Sequence, residues 1–284
     1  MTSGSLGIGK ILGDTYGLFC RRILTYLVPM AMVVLVTVIF GTLFSQISMG
    51  IFIAQSAAGS DFWADAWILL LMAIALAVIY LTAMSTISLI TIELKTGRRA
   101  RIMAQLGRAL RSTPMLILLG LVVFVILALV IAGIALLADS ILLSDLASFL
   151  LLILACFAGL SVYVKLSPIL PIIVHERTGL GAFRRSFELT QGYFWPILGL
   201  LIMNLVIILL LGIAVATLSA SASMAILSGG PGSLFAFRAL TLASQALIGI
   251  LTYLIPVILS TLLYLRLRAI KEGIGTEDIS TVFE

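Results

Sequence analysis

Residues 196–219 read PILGLLIMNLVIILLLGIAVATLS, 24 consecutive positions with no charged side chain and one amide, Asn204. At about 1.5 Å per residue, such a helix covers the roughly 30 Å hydrocarbon layer of a bilayer. Lipid offers no partner to an open strand edge, so the backbone there must satisfy itself as a helix. Five more apolar blocks accompany it, giving predicted spans at about 26–46, 67–92, 114–137, 148–174, 196–219 and 241–265. Composition agrees. Hydrophobic residues make up 62% of the 284 positions and charged residues 10%, against about 45–50% and 25% in soluble domains. The expected fold is all-α: one polytopic transmembrane domain over residues 1–284, with six transmembrane helices.

Orientation follows from the cations. Lys10, Arg21 and Arg22 precede the first span, and Lys95, Arg98, Arg99, Arg101, Arg108 and Arg111 lie between the second and third. Arg177, Arg184 and Arg185 lie between the fourth and fifth, and Arg266, Arg268 and Lys271 follow the sixth in a predicted tail, 266–284. The opposite connections hold Asp61, Asp65, Asp139 and Asp145, with Arg238 as their one cation. The positive-inside rule therefore places both termini in the cytoplasm. This distribution explains the net charge of +5 without nucleic acid, since no basic run interleaved with aromatics occurs. Cys20 and Cys156 give no disulfide framework. The first 22 residues lack an apolar region followed by a small-residue cleavage site, so the first span is expected to stay as an anchor.

The cytoplasmic connections carry apolar residues at helical spacing beside charges, which predicts amphipathic interfacial helices at about 6–22, 98–112 and 179–191. Pro114 and Pro196 follow two of them and suit the first turn of a helix, where a missing N–H costs nothing. Ser5, Gly9, Gly13 and Gly17 form a small-residue stripe that would let another helix approach closely. The pieces also repeat: Tyr80, Glu93, Thr96, Gly97 and Pro114 match Tyr163, Glu176, Thr178, Gly179 and Pro196 at an offset of 82 to 83 residues. Tyr264-Leu265-Arg266-Leu267 echoes Tyr163-Val164-Lys165-Leu166, so the six spans are expected to be three parallel hairpin repeats.

From His175 to Gly192 the chain reads HERTGLGAFRRSFELTQG: an acidic residue, a glycine turn, then Ala-x-Arg-Arg-Ser-x-x-Leu-Thr-x-Gly before an aromatic helix start. This pattern, with the six-span layout, resembles the membrane domain of some glycerophosphoryl diester phosphodiesterases and of related stand-alone bacterial proteins, the YciC-like group among them. The resemblance implies a multi-pass protein of the bacterial inner membrane. It implies no hydrolysis, because catalysis in those enzymes belongs to a separate soluble barrel domain.

Candidate sites are few. Lys165 lies about nine positions before the predicted end of the fourth span, where an unpaired cation costs about 2.5–3.5 kcal/mol. Either a carboxylate offsets that, with Glu93 and Glu188 the leading candidates for a polar cluster, or the side chain snorkels to the headgroups. Pro168 and Pro171 free carbonyls near Val164 and Ser167; transporters build sites that way, but packing is the commoner use. Hydroxyls in the second span (Thr82, Ser85, Thr86, Ser88, Thr91) and Asn204 and Gln245 are read as interhelical hydrogen bonds of about 0.6 kcal/mol each. Arg184, Arg185, Ser186 and Glu188 make the preferred interfacial or partner patch, with Glu188 in reach of Arg184 at i,i+4 and of Arg185 at i,i+3.

No catalytic, cofactor or metal residues are assigned; His175 beside Glu176 reads as an interfacial polar pair. The leading expectation is a non-enzymatic membrane module or accessory scaffold in envelope or lipid-related processes, with membrane lipids and a protein in the membrane as its partners. A transporter or lipid translocase working around Lys165 is the runner-up, and a lipid enzyme comes third for want of a convergent acid, base or metal set.

Overall fold

In the computed structural model, residues 6–31, 34, 62–97, 102–138, 145–176, 179–227 and 233–273 are described. The predicted first span from residue 35 onward, Ser5, Arg177, and residues 274–284 of the predicted tail lie outside them. Every described element is helical. Helix α1 covers residues 8–31, followed by α2 (Phe62–Lys95), α3 (Ile102–Ala138), α4 (Asp145–Leu166), α5 (Ile169–Glu176), α6 (Gly181–Thr190), α7 (Phe194–Leu227) and α8 (Ser233–Glu272).

Five helical stretches among the described residues are long and apolar enough to cross a membrane: Ile74–Lys95, Ile102–Val123, Phe157–Glu176, Phe194–Met224 and Phe235–Glu272. The chain is a multi-pass membrane protein. The stretches in α2 and α8 are about half buried within the chain, 56% and 50%, whereas those in α3 and α7 are 22% buried. Thus α2 and α8 are the central helices and α3 and α7 the peripheral ones. Their outward leucines, such as Leu205, Leu209 and Leu210, suit a lipid solvent. The hydroxyl-rich sequence of α2 is tolerated because Thr82, Ser85, Thr86, Ser88 and Thr91 are all buried against neighbours.

The core lies toward the Arg-rich end of the bundle. Ile87 and Ile90 of α2, Ile172 and Ile173 of α5, and Ile255, Ile258 and Leu263 of α8 are almost fully buried there. Helix α1 joins through Ile11, Leu12, Tyr26 and Met30. The polar neighbours bridge helices: Tyr26 Oη and Thr91 Oγ1 are 3.1 Å apart, Thr82 and Thr113 hydroxyls 2.9 Å, and Ser88 and Thr261 hydroxyls 3.0 Å. Tyr16 Oη donates to Asn204 Oδ1 at 3.3 Å. Interhelical bonding is therefore the use that Thr82, Ser88, Thr91 and Asn204 find, whereas Ser85 and Thr86 bond back to their own helix and Gln245 is exposed.

Three boundaries differ from those read in the sequence. The surface segment predicted at 98–112 is, from Ile102 on, the start of α3 itself, with Pro114 in the helix interior rather than its first turn. Likewise α1 runs unbroken past Arg22 to residue 31, and α8 carries Arg266, Arg268 and Lys271 on helix rather than in a tail. Only α6 is a separate helix, because Gly192 at φ +88° ends it in a left-handed turn. The position matching Gly192 at offset 82 is Leu110, which has no such freedom, and there the helix continues. Pro196 does fall in the first turn of α7.

Candidate functional site

The fourth apolar block breaks at Ser167-Pro168, between α4 and α5. Pro168 and Pro171 have no N–H for the carbonyls of Val164 and Ser167 four residues back. Val164 O is taken by the Ser167 amide at 3.3 Å. Ser260 of α8 donates its hydroxyl to Ser167 O at 2.7 Å, and Ser186 of α6 donates to Lys165 O at 2.5 Å. The break is thus closed by two hydroxyls from two other helices. Of the two carbonyls that the prolines free, a backbone amide takes one and Ser260 the other, while Ser186 takes that of Lys165.

Below the break, α5, α6 and α8 meet in a ring of charges. Glu176 Oε1 accepts from Tyr264 Oη at 2.7 Å, and Glu176 Oε2 from Arg185 Nε at 3.3 Å. Arg185 Nη2 pairs with Glu272 Oε1, and Glu272 Oε2 accepts from Arg268 Nε at 2.8 Å. Arg268 Nη1 returns to Tyr264 Oη at 3.4 Å, closing the circuit. Its side chains are largely shielded, between 15% and 29% exposed for the four ions. Charge-assisted bonds of this sort contribute about 1.5–3 kcal/mol each. Two carboxylates face two guanidiniums, so the ring balances itself and acts as a clasp. His175 lies edge-on to Tyr264, with centroids 6.2 Å apart.

The patch read from the sequence is divided by this arrangement. Arg184 Nε pairs with Glu188 Oε1 at 2.8 Å on the exposed face of α6. Arg185 and Ser186 turn inward, Arg185 to Glu176 and Glu272 rather than to Glu188. Ala182, Ser186, Leu189 and Thr190 form the buried face of α6, and Leu180 and Phe187 stand exposed.

Lys165, at the end of α4, is exposed, and its ammonium stands 5.3 Å from the centroid of the Phe187 ring, a cation–π contact. Of its expected carboxylates, Glu188 pairs with Arg184 and Glu93 accepts from Gln105 Nε2. No atom comes within 4 Å of a Cβ placed on Gly9, Gly13 or Gly17. Among the described residues the chain makes no use of that stripe for close packing.

Sequence reasoning missed Tyr264, Arg268 and Glu272. One signal was available: Arg268 and Glu272 stand at i,i+4, the spacing of a helical ion pair. A cavity of about 250 Å³ opens between α1, the end of α2 and α8, lined by Lys10, Asp14, Lys95 and Arg266 and by apolar side chains including Leu6 and Leu262. Lys165 is not among its lining residues. Lys95 Nζ bridges to Asp14 Oδ2 across it at 2.8 Å. No family model, no curated protein and no solved structure matches this chain.

Proposed function

We propose that the protein is a non-enzymatic membrane module of the bacterial inner membrane, a scaffold for envelope or lipid-related processes, with both termini cytoplasmic and its working surface at the Arg-rich end. In this reading the chain is a stand-alone relative of the phosphodiesterase membrane domains, built from parallel hairpin units. The observation that carries it is the sealing of the α4–α5 break. Carbonyls that a transporter would hold open for an ion are taken by Ser186 and Ser260, and the charges around them are spent on one another. The outward face of α6 presents Leu180, Arg184, Phe187 and Glu188 to a partner, and Trp195 at the start of α7 is also exposed. A guanidinium on a face that also exposes an aromatic ring suits lipid phosphates and protein carboxylates alike.

Two measurements test this. Cys20 is exposed on α1; in a Cys156→Ala background, a membrane-impermeant maleimide should label it only after the inner membrane is opened. Labelling in intact spheroplasts would reverse the orientation. A photo-crosslinker at Phe187 should capture a stoichiometric protein, and reversing the charges of Arg184 and Glu188 should abolish capture. Solute uptake by proteoliposomes that disappears in Lys165→Met would replace the scaffold with a transporter.

A further inference from the structure

The cavity between α1, α2 and α8 has features that the clasp and the α6 face do not use. Three cations line it against one carboxylate. Asp14 is matched by Lys95, while no carboxylate lies within salt-bridge distance of Lys10 or Arg266 among the described residues. Both are exposed, so among the described residues two cations border one hollow without a carboxylate partner. The rest of the lining is greasy: Leu6 and Leu262, among others, are buried side chains. The start of α1 lies beside it, and the dipole there adds to the positive field.

A hollow with two such cations and an apolar wall selects an anion that carries hydrocarbon. Its volume, about 250 Å³, falls below the roughly 300–1,000 Å³ of sites for drug-sized ligands; a headgroup fits, a whole lipid does not. Guanidinium and ammonium together favour phosphate, the first by paired hydrogen bonds and the second as a point charge. We propose that this cavity binds a phosphate group, and that its source is the headgroup of an anionic phospholipid, held by Arg266 and Lys10 while the glycerol end rests on Leu6 and Leu262. Asp14 opposes the ligand and keeps Lys95 in place. The choice of lipid over free phosphate rests on the reading that the Arg-rich end lies at headgroup level, which the Cys20 labelling tests separately.

The test uses full-length protein in phosphatidylcholine nanodiscs doped with phosphatidylglycerol, with retained lipid counted by native mass spectrometry. One phosphatidylglycerol should be retained per chain. Lys10→Gln with Arg266→Gln should weaken retention by about tenfold or more, which is about 1.4 kcal/mol or more. Asp14→Asn should strengthen it. An equivalent double change at exposed Arg108 and Arg111, outside the cavity, should leave retention unaltered. In undoped nanodiscs, inorganic phosphate should show no phosphorus-31 line broadening that depends on Lys10 and Arg266; if it does, the site serves free phosphate and the lipid source is wrong. Retention indifferent to Lys10, Arg266 and Asp14 would overturn the proposal.

Discussion

Two stretches of the chain that match at an offset of 82 to 83 residues handle the turn at the Arg-rich end differently. In the first, α2 runs whole to Lys95 and α3 continues through Pro114 without a stop; Glu93 accepts, among its contacts, from the amide of Gln105. In the second, the incoming helix is cut at Ser167-Pro168, the surface helix is cut at Gly192, and Glu176 meets a guanidinium and a phenol. Both begin the turn with a glycine at positive φ, Gly97 at +72° and Gly179 at +59°. The first pattern yields two long rods. The second yields a short central helix, α5, whose ends are free to be gripped from the side. Breaking an otherwise straight element is a way to gather several helices at one point.

That contrast sets the order of expected effects. Arg185→Met should be the most damaging change, leaving Glu176 and Glu272 facing each other without their shared cation. A loss of about 3 kcal/mol is expected, read as earlier unfolding in mixed detergent titrations, against about 1 kcal/mol for Gln105→Met in the first stretch. Equal losses would erase the distinction between clasp and simple contact.

Next come the seals. Ser186→Ala and Ser260→Ala should each cost about 1 kcal/mol, because each removes the side-chain donor from a part-buried carbonyl. In a Pro171→Ala background the Ser260 effect should shrink, since residue 171 could then donate to Ser167 O itself; a double-mutant cycle measures the coupling. Additive losses would mean that Pro171 and Ser260 are unrelated.

Gly192→Leu makes the second stretch resemble the first. It should cost about 1–2 kcal/mol through left-handed strain, or relieve that strain by fusing α6 to α7, and spin labels on α6 and α7 would report the straightening. The smallest effect belongs to the exposed pair: Arg184→Ala or Glu188→Ala should change stability by no more than about 0.5 kcal/mol. A larger loss would give the outward face of α6 a structural role.

The apolar blocks were legible because a lipid solvent imposes its demand on each segment separately. Five of the six predicted spans fall on described helices long and apolar enough to cross, and the break near Val164 and Ser167 could be read from two prolines. The Arg184–Glu188 pair was legible from spacing alone. Arg185 was not: Glu188 was equally within local reach, and its true partners depend on where α8 ends, 87 residues along from Arg185 to Glu272. Lys165 invited a carboxylate on desolvation grounds, but an exposed ammonium against the face of Phe187 leaves no marker in residue spacing. Continuity at Pro114 was misread because proline within a membrane helix is compatible with both a start and an interior, and only the absence of a left-handed glycine before it decides.

Ser260 follows Ser167 by 93 residues in the chain. At ribosomal speed it emerges on the order of ten seconds later. The hydroxyl that closes the α4–α5 break is therefore among the last parts of the bundle to be made, and the break takes its finished form only when α8 joins the helices synthesised before it.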